Sequence, residues 1–79
     1  MDTLLRLPSV TKTTGLNRAN IYRQIKKGLL TRPVQISQRA VAWPESEIAA
    51  INAAKIRGAS DSEIKELVAA LVEARKDAK

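Results

Sequence analysis

Seventy-nine residues give one small domain, which buries roughly 60% of its unfolded surface and has a thin core with little room for a catalytic cleft. The chain has no cysteine, histidine or phenylalanine, and Tyr22 and Trp43 are its only aromatic residues. Disulfides, thiolate or imidazole metal sites and a histidine general base are thereby excluded. No apolar run approaches the ~20 residues of a membrane span, and the N-terminus lacks the apolar core of a signal peptide, so a cytoplasmic protein without a membrane partner is expected. The net charge of +6 is unevenly divided: residues 1–43 carry eight cations (Arg6, Lys12, Arg18, Arg23, Lys26, Lys27, Arg32 and Arg39) against Asp2 alone. Residues 44–79 carry six cations and seven acids, so the excess belongs to the first half. Such asymmetry suits nucleic-acid binding, and it also suits a merely solvating basic face.

Leu4, Leu5 and Leu7 form an apolar lead-in. Pro8 pre-sets φ for the first turn of a helix reaching about Thr13, with Val10 inward and Ser9 and Lys12 outward. Gly15 marks a turn, and Asn17 is a good N-cap for a second helix that Lys26, Lys27 and Gly28 bring to an end. Ile21 and Ile25 lie four apart on one face of that helix, while Asn20, Arg23 and Lys27 share another. A short helix, a glycine turn and a capped helix of about ten residues make the helix-turn-helix pattern.

Leu29 and Leu30 can fold back on the helix end. The runs Pro33–Ile36 and Ala40–Trp43 each place alternate apolar residues on one face, Val34 with Ile36 and Val41 with Trp43. They are expected to pair as a hairpin with Ser37, Gln38 and Arg39 at its tip, close to the basic helix. Because an isolated hairpin is only marginally stable, it must lie against the helices as a wing. Trp43 precedes Pro44, which favours an extended residue followed by a helix with proline at its first position. Glu45 and Glu47 complement that helix's dipole. The third helix runs to about Arg57, with Ile48, Ile51 and Ile56 as its main apolar residues, Asn52 and Lys55 blurring the stripe, and Gly58 ending it. Ser60 to Glu63 reads as a capping box for a fourth helix from Asp61 to about Asp77. There Ile64, Leu67, Val68, Leu71 and Val72 make a clean stripe. Such a helix is marginal alone, so the stripe either covers the domain's own core or meets a second subunit. The expected division is a DNA-binding domain over residues 1–58 and a C-terminal helix over residues 59–79, with Gly58-Ala59 as the hinge.

The ordered set Leu5-Arg6-Leu7-Pro8-Ser9-Val10, Thr14-Gly15-Leu16-Asn17-Arg18, Ile21-Tyr22-Arg23, Ile25-Lys26-Lys27-Gly28, Pro33-Val34 and Arg39-Ala40-Val41-Ala42-Trp43 resembles the AlpA family. These are small phage and prophage DNA-binding regulators, related in fold to excisionases and the MerR-type winged helix. The resemblance covers about residues 4–57. It implies a mainly α fold with a small β-hairpin wing, a winged helix-turn-helix, whose second helix reads the major groove while the wing touches neighbouring backbone or minor groove. The family's usual pattern differs at Asn17, Asn20, Gln24, Leu30-Thr31, Ser37-Gln38 and Ile51-Asn52. The final helix lies outside the match.

Arginine matches guanine O6 and N7, and asparagine matches adenine N6 and N7, so Arg23 and Asn20 are candidates for base-edge contact. Arg18, Lys26, Lys27 and Arg39 are better placed for phosphates, with Lys12 and Arg32 adding to the field. Tyr22 lies between the two faces; its ring is expected in the core and its hydroxyl is a candidate phosphate donor. Trp43, Ile21 and Ile25 are assigned to the core. With Asn17 at the helix start, the candidate DNA-binding residues are Asn17, Arg18, Asn20, Tyr22, Arg23, Lys26, Lys27 and Arg39.

Serines without a histidine, and acids placed mostly at helix starts, leave no catalytic constellation, so no enzyme and no cofactor are expected. The function implied is sequence-specific binding of double-stranded DNA by a phage-type transcriptional regulator. The alternatives are an excisionase-like factor that bends DNA during recombination, and a protein-interaction module using the final helix. A monomer of this size contacts few base pairs, so a homodimer or cooperative assembly on DNA is a further expectation. RNA polymerase or an integrase would be the matching protein partners.

Overall fold

The computed structural model describes residues 2–77. Its elements are β1 (Leu4–Leu5), α1 (Leu7–Thr14), α2 (Arg18–Lys26), β2 (Val34–Ser37), β3 (Ala40–Pro44), α3 (Glu45–Ile56), α4 (Asp61–Ala74) and a closing 3₁₀ turn, Arg75–Asp77. The fourth helix was expected to reach about Asp77 and instead tightens into this turn. Residues 78 and 79 of the expected C-terminal segment lie outside the described residues.

This is a winged helix-turn-helix. β2 and β3 form the antiparallel wing, with Val34 opposite Ala42 and Gln35 opposite Val41. The register slips between Gln35 and Ser37, so Ser37 faces Ala40 and only Gln38 and Arg39 remain in the turn. Ile36 falls in this bulge and is exposed, which separates it from the inward role expected beside Val34. The lead-in Leu4–Leu5 is a third strand, pairing with Pro44 and Trp43 to give the sheet order β1-β3-β2.

One cluster of Val10, Ile21, Leu29, Leu30, Trp43, Ile48, Ile51, Ala54, Ile64 and Val68 forms the core, flanked by Leu5, Leu7, Leu16, Ile25, Val41, Leu67 and Leu71. Trp43 fills its centre, and its indole N–H donates to the buried Thr31 carbonyl at 2.9 Å. Ile64 and Val68 thus bring α4 into the same core as the helix-turn-helix. In α3 the inward positions are Glu47, Ile48, Ile51 and Ala54. Ile56, expected among the main apolar residues of the helix's stripe, is 86% exposed, because five residues beyond Ile51 a helix has turned by about 140°.

The helix ends show where local signals suffice. Ser60 accepts the Glu63 backbone N–H while Glu63 accepts that of Ser60, completing the capping box. The Ser60 backbone N–H, and after it the Ser60 side chain, hold the Glu63 carboxyl below its ordinary range. At the start of α3, Pro44 occupies the N-cap position, one residue before the helical position expected for it, and has no polar side chain to cap with. Asp2 supplies the cap from across the sheet: its carboxylate accepts from the Ser46 hydroxyl at 2.5 Å and the Ser46 backbone N–H at 3.1 Å. Those two bonds, hydroxyl first, lower the Asp2 pKa.

Candidate nucleic-acid interface

The turn between α1 and α2 is Gly15, Leu16 and Asn17, set by hydrogen bonds to neighbouring residues. Gly15 adopts φ +76° and donates its N–H to Thr11, ending α1 in a conformation that L side chains rarely adopt. Thr14 turns its hydroxyl back to the Val10 carbonyl at 2.7 Å, and Leu16 returns the chain to the core. Asn52 of α3 donates to the Thr13 carbonyl at 3.0 Å, so a residue that blurred the apolar stripe of α3 is the one that ties α1 to it.

Asn17 then caps α2, its side chain accepting the Asn20 N–H at 2.8 Å. At the other end Gly28, at φ +79°, donates to Ile25 while Leu29 donates to Gln24, the paired bonds of a Schellman closure with Leu29 buried behind it. These two ends set the rotation of α2. Ile21 is fully buried and Ile25 half-buried, which leaves Arg23 opposite them, on the exposed side. Arg18, Lys26 and Lys27 are also exposed, and Asn20 is half-buried beside them. Arg23 donates from Nη1 to Asn20 Oδ1 at 2.9 Å, so the two expected base-reading side chains lie together one turn apart.

Tyr22 departs from expectation: it is 41% exposed and lies outside the core cluster. Ile21 and Ile25 already occupy the inward direction, and a residue one step on from Ile21 is rotated by about 100°. Its ring therefore edges the exposed face.

Arg39 stands apart from this group at the exposed turn of the wing, and among the described residues no side-chain hydrogen bond or ion pair links it to α2. The electrostatics are one-sided. All eight cations of residues 1–43 are exposed, and the ion pairs found among the described residues, Arg75–Glu47 and Lys76–Glu73, involve none of them. Arg18 lies in the first turn of α2 and no acid accompanies it. A cation there opposes the helix dipole, which costs helix stability and concentrates positive potential where an anion would be favoured.

A three-residue turn, a capped helix with an uncompensated basic face, and a hairpin with an arginine at its turn make up a winged helix-turn-helix. The chain belongs to the AlpA family: the model of the prophage CP4-57 regulatory protein (AlpA) matches residues 3–51, which contain the helix-turn-helix, the wing and the start of α3. It is also similar to the uncharacterized protein ORF88 of Enterobacteria phage P4, with 39% identity over 57 residues, covering 72% of this chain and 65% of that protein. The alignment thus spans less than two thirds of the phage P4 protein. No solved structure matches the chain. Among the described residues, no helix is long and apolar enough to cross a membrane.

Proposed function

We propose that this protein binds a specific site in double-stranded DNA and regulates phage-type transcription, with α2 in the major groove and the wing on the adjoining backbone. The observation that carries this reading is the exposed face of α2, where Arg18, Arg23, Lys26 and Lys27 have no acidic partner among the described residues. Arg23 and Asn20 carry the base-edge chemistry, Arg18, Lys26, Lys27 and Arg39 hold phosphates, and the Tyr22 hydroxyl adds a donor at the edge of the face. Asn17 keeps its amide N–H groups for the backbone while its oxygen caps the helix.

Residues 1–58 form the binding head in this scheme, and residues 59–79 serve as its cover. Burial of Ile64 and Val68 in the shared core supports that assignment. One head touches few base pairs, so specificity comes from two copies acting together on DNA. Selection of bound duplexes from random DNA, followed by gel retardation across salt concentrations, tests the function. A recovered consensus with affinity falling steeply with salt is expected. Equal recovery of all sequences, or no retardation at low salt, overturns it.

A further inference from the structure

The connection from α2 to the wing, residues 29–33, has no regular structure, yet side chains from elsewhere hold two consecutive carbonyls of it. Trp43 of β3 takes the Thr31 carbonyl at 2.9 Å. Arg75, in the 3₁₀ turn after α4, takes the Arg32 carbonyl through Nη2 at 2.7 Å. The same guanidinium forks onto Glu47 of α3, Nε to Oε2 at 2.7 Å and Nη2 to Oε1 at 2.5 Å. The Glu47 side chain is only 5% exposed and that of Arg75 20%. A buried carboxylate needs a cationic partner, which a lysine could also supply. The planar fork of arginine takes both carboxylate oxygens side by side and still offers an N–H to a third acceptor in fixed geometry, where a lysine ammonium is a single point donor group.

That third acceptor lies two residues before the first residue of β2, and Pro33, with its fixed φ, occupies the gap. Little slack remains between the pinned carbonyl and the wing. We infer that Arg75 is a positioning residue for the wing: by holding the Arg32 carbonyl against Glu47 it fixes how β2 and β3 leave α2, and thereby where Arg39 meets DNA. The residue lies beyond the segment 3–51 that the family model matches. The inference rests on the proposal that α2 and the wing bind DNA.

A double-mutant cycle on the full chain tests it, using a fluorescent duplex selected from random DNA and a temperature at which circular dichroism shows every variant folded. Arg39→Ala weakens binding by about tenfold, the loss of one charge-assisted contact. Arg75→Ala, and Arg75→Lys, which keeps a charge beside Glu47 but lacks the fork, each weaken binding several-fold in the wild-type background. In the Arg39→Ala background they cost less than about twofold, because the contact they position is gone. Val68→Ala, which loosens α4 without touching Arg32, leaves binding within about twofold of wild type at that temperature. Equal losses from the Arg75 substitutions in both backgrounds, or no loss from Arg75→Lys in either, overturn the inference while the DNA-binding proposal stands. Failure of the wild-type chain to retain the duplex overturns both.

Discussion

Arg23 and Asn20, one turn apart on α2, are joined by a 2.9 Å hydrogen bond from the guanidinium to the amide oxygen. The bond restrains a long side chain that would otherwise lose rotamer freedom on binding. Their contributions to DNA affinity should therefore not add. Arg23→Ala and Asn20→Ala together are expected to cost less than the sum of the single losses, with a coupling of about 0.5–3 kcal/mol. Strict additivity in fluorescence titrations would mean that the two act independently.

Asp2 ties the N-terminal segment to α3 and should make stability depend on pH. Its folded-state carboxyl titrates below the ordinary value of 3.8 because the Ser46 hydroxyl and N–H favour the anion. A lowered folded pKa stabilises the protein above the unfolded value, and the gain disappears as pH falls through the folded value. Asp2→Asn is expected to unfold at lower urea than wild type near neutral pH, with the gap closing in acid below 3.8. The Glu63 carboxyl, also held below its ordinary value by Ser60, is untouched by the substitution and cancels from the comparison. A gap that persists in strong acid would show that the loss does not come from the Asp2 carboxylate.

Trp43→Phe removes the donor to the Thr31 carbonyl and part of the central ring. Leaving a buried carbonyl unpaired costs about 1–3 kcal/mol, and the vacated volume adds to that. The Thr31 hydroxyl beside it is buried and has no hydrogen-bond partner among the described residues, so Thr31→Val exchanges an unpaired polar group for a methyl of similar size. Urea denaturation followed by circular dichroism should place Trp43→Phe well below wild type and Thr31→Val level with it or above. The reverse order would reject this packing.

In α3 the expected and observed cores diverge, and mutation distinguishes them. Ile51→Ala should cost about 2–5 kcal/mol, and Ile56→Lys no more than about 0.5 kcal/mol, measured by the same denaturation. A large loss at Ile56 would restore it to the core.

What could be read from the sequence follows a physical division. The caps at Asn17 and Ser60 and the closure at Gly28 depend on residues three to five apart, so their signals lie within one stretch of chain. The helix-turn-helix and the inward face of α2 were legible for that reason, and the ordered motifs carried the family. Other features depend on partners far along the chain. Leu4–Leu5 is a strand only because Pro44 and Trp43 accept it, and Asp2 is a cap only because α3 begins beside it. Arg75 finds Glu47 and Arg32 across 28 and 43 positions. Tyr22, at the boundary between the two faces of α2, and Ile56, at the end of α3, both fall outside the narrow inward arcs of their helices. In the candidate interface, the basic face of α2 could be read directly, whereas the anchoring of the wing could not.

The most direct test of α2 as the reading element is the affinity of wild type and Arg23→Ala for a selected duplex and for its full set of single-base-pair substitutions. Wild type should discriminate at several positions. Arg23→Ala should lose about 1–3 kcal/mol of discrimination at one base pair and keep it at the others. An Arg23→Ala profile identical to that of wild type, or a wild type indifferent to every substitution, would contradict the assignment.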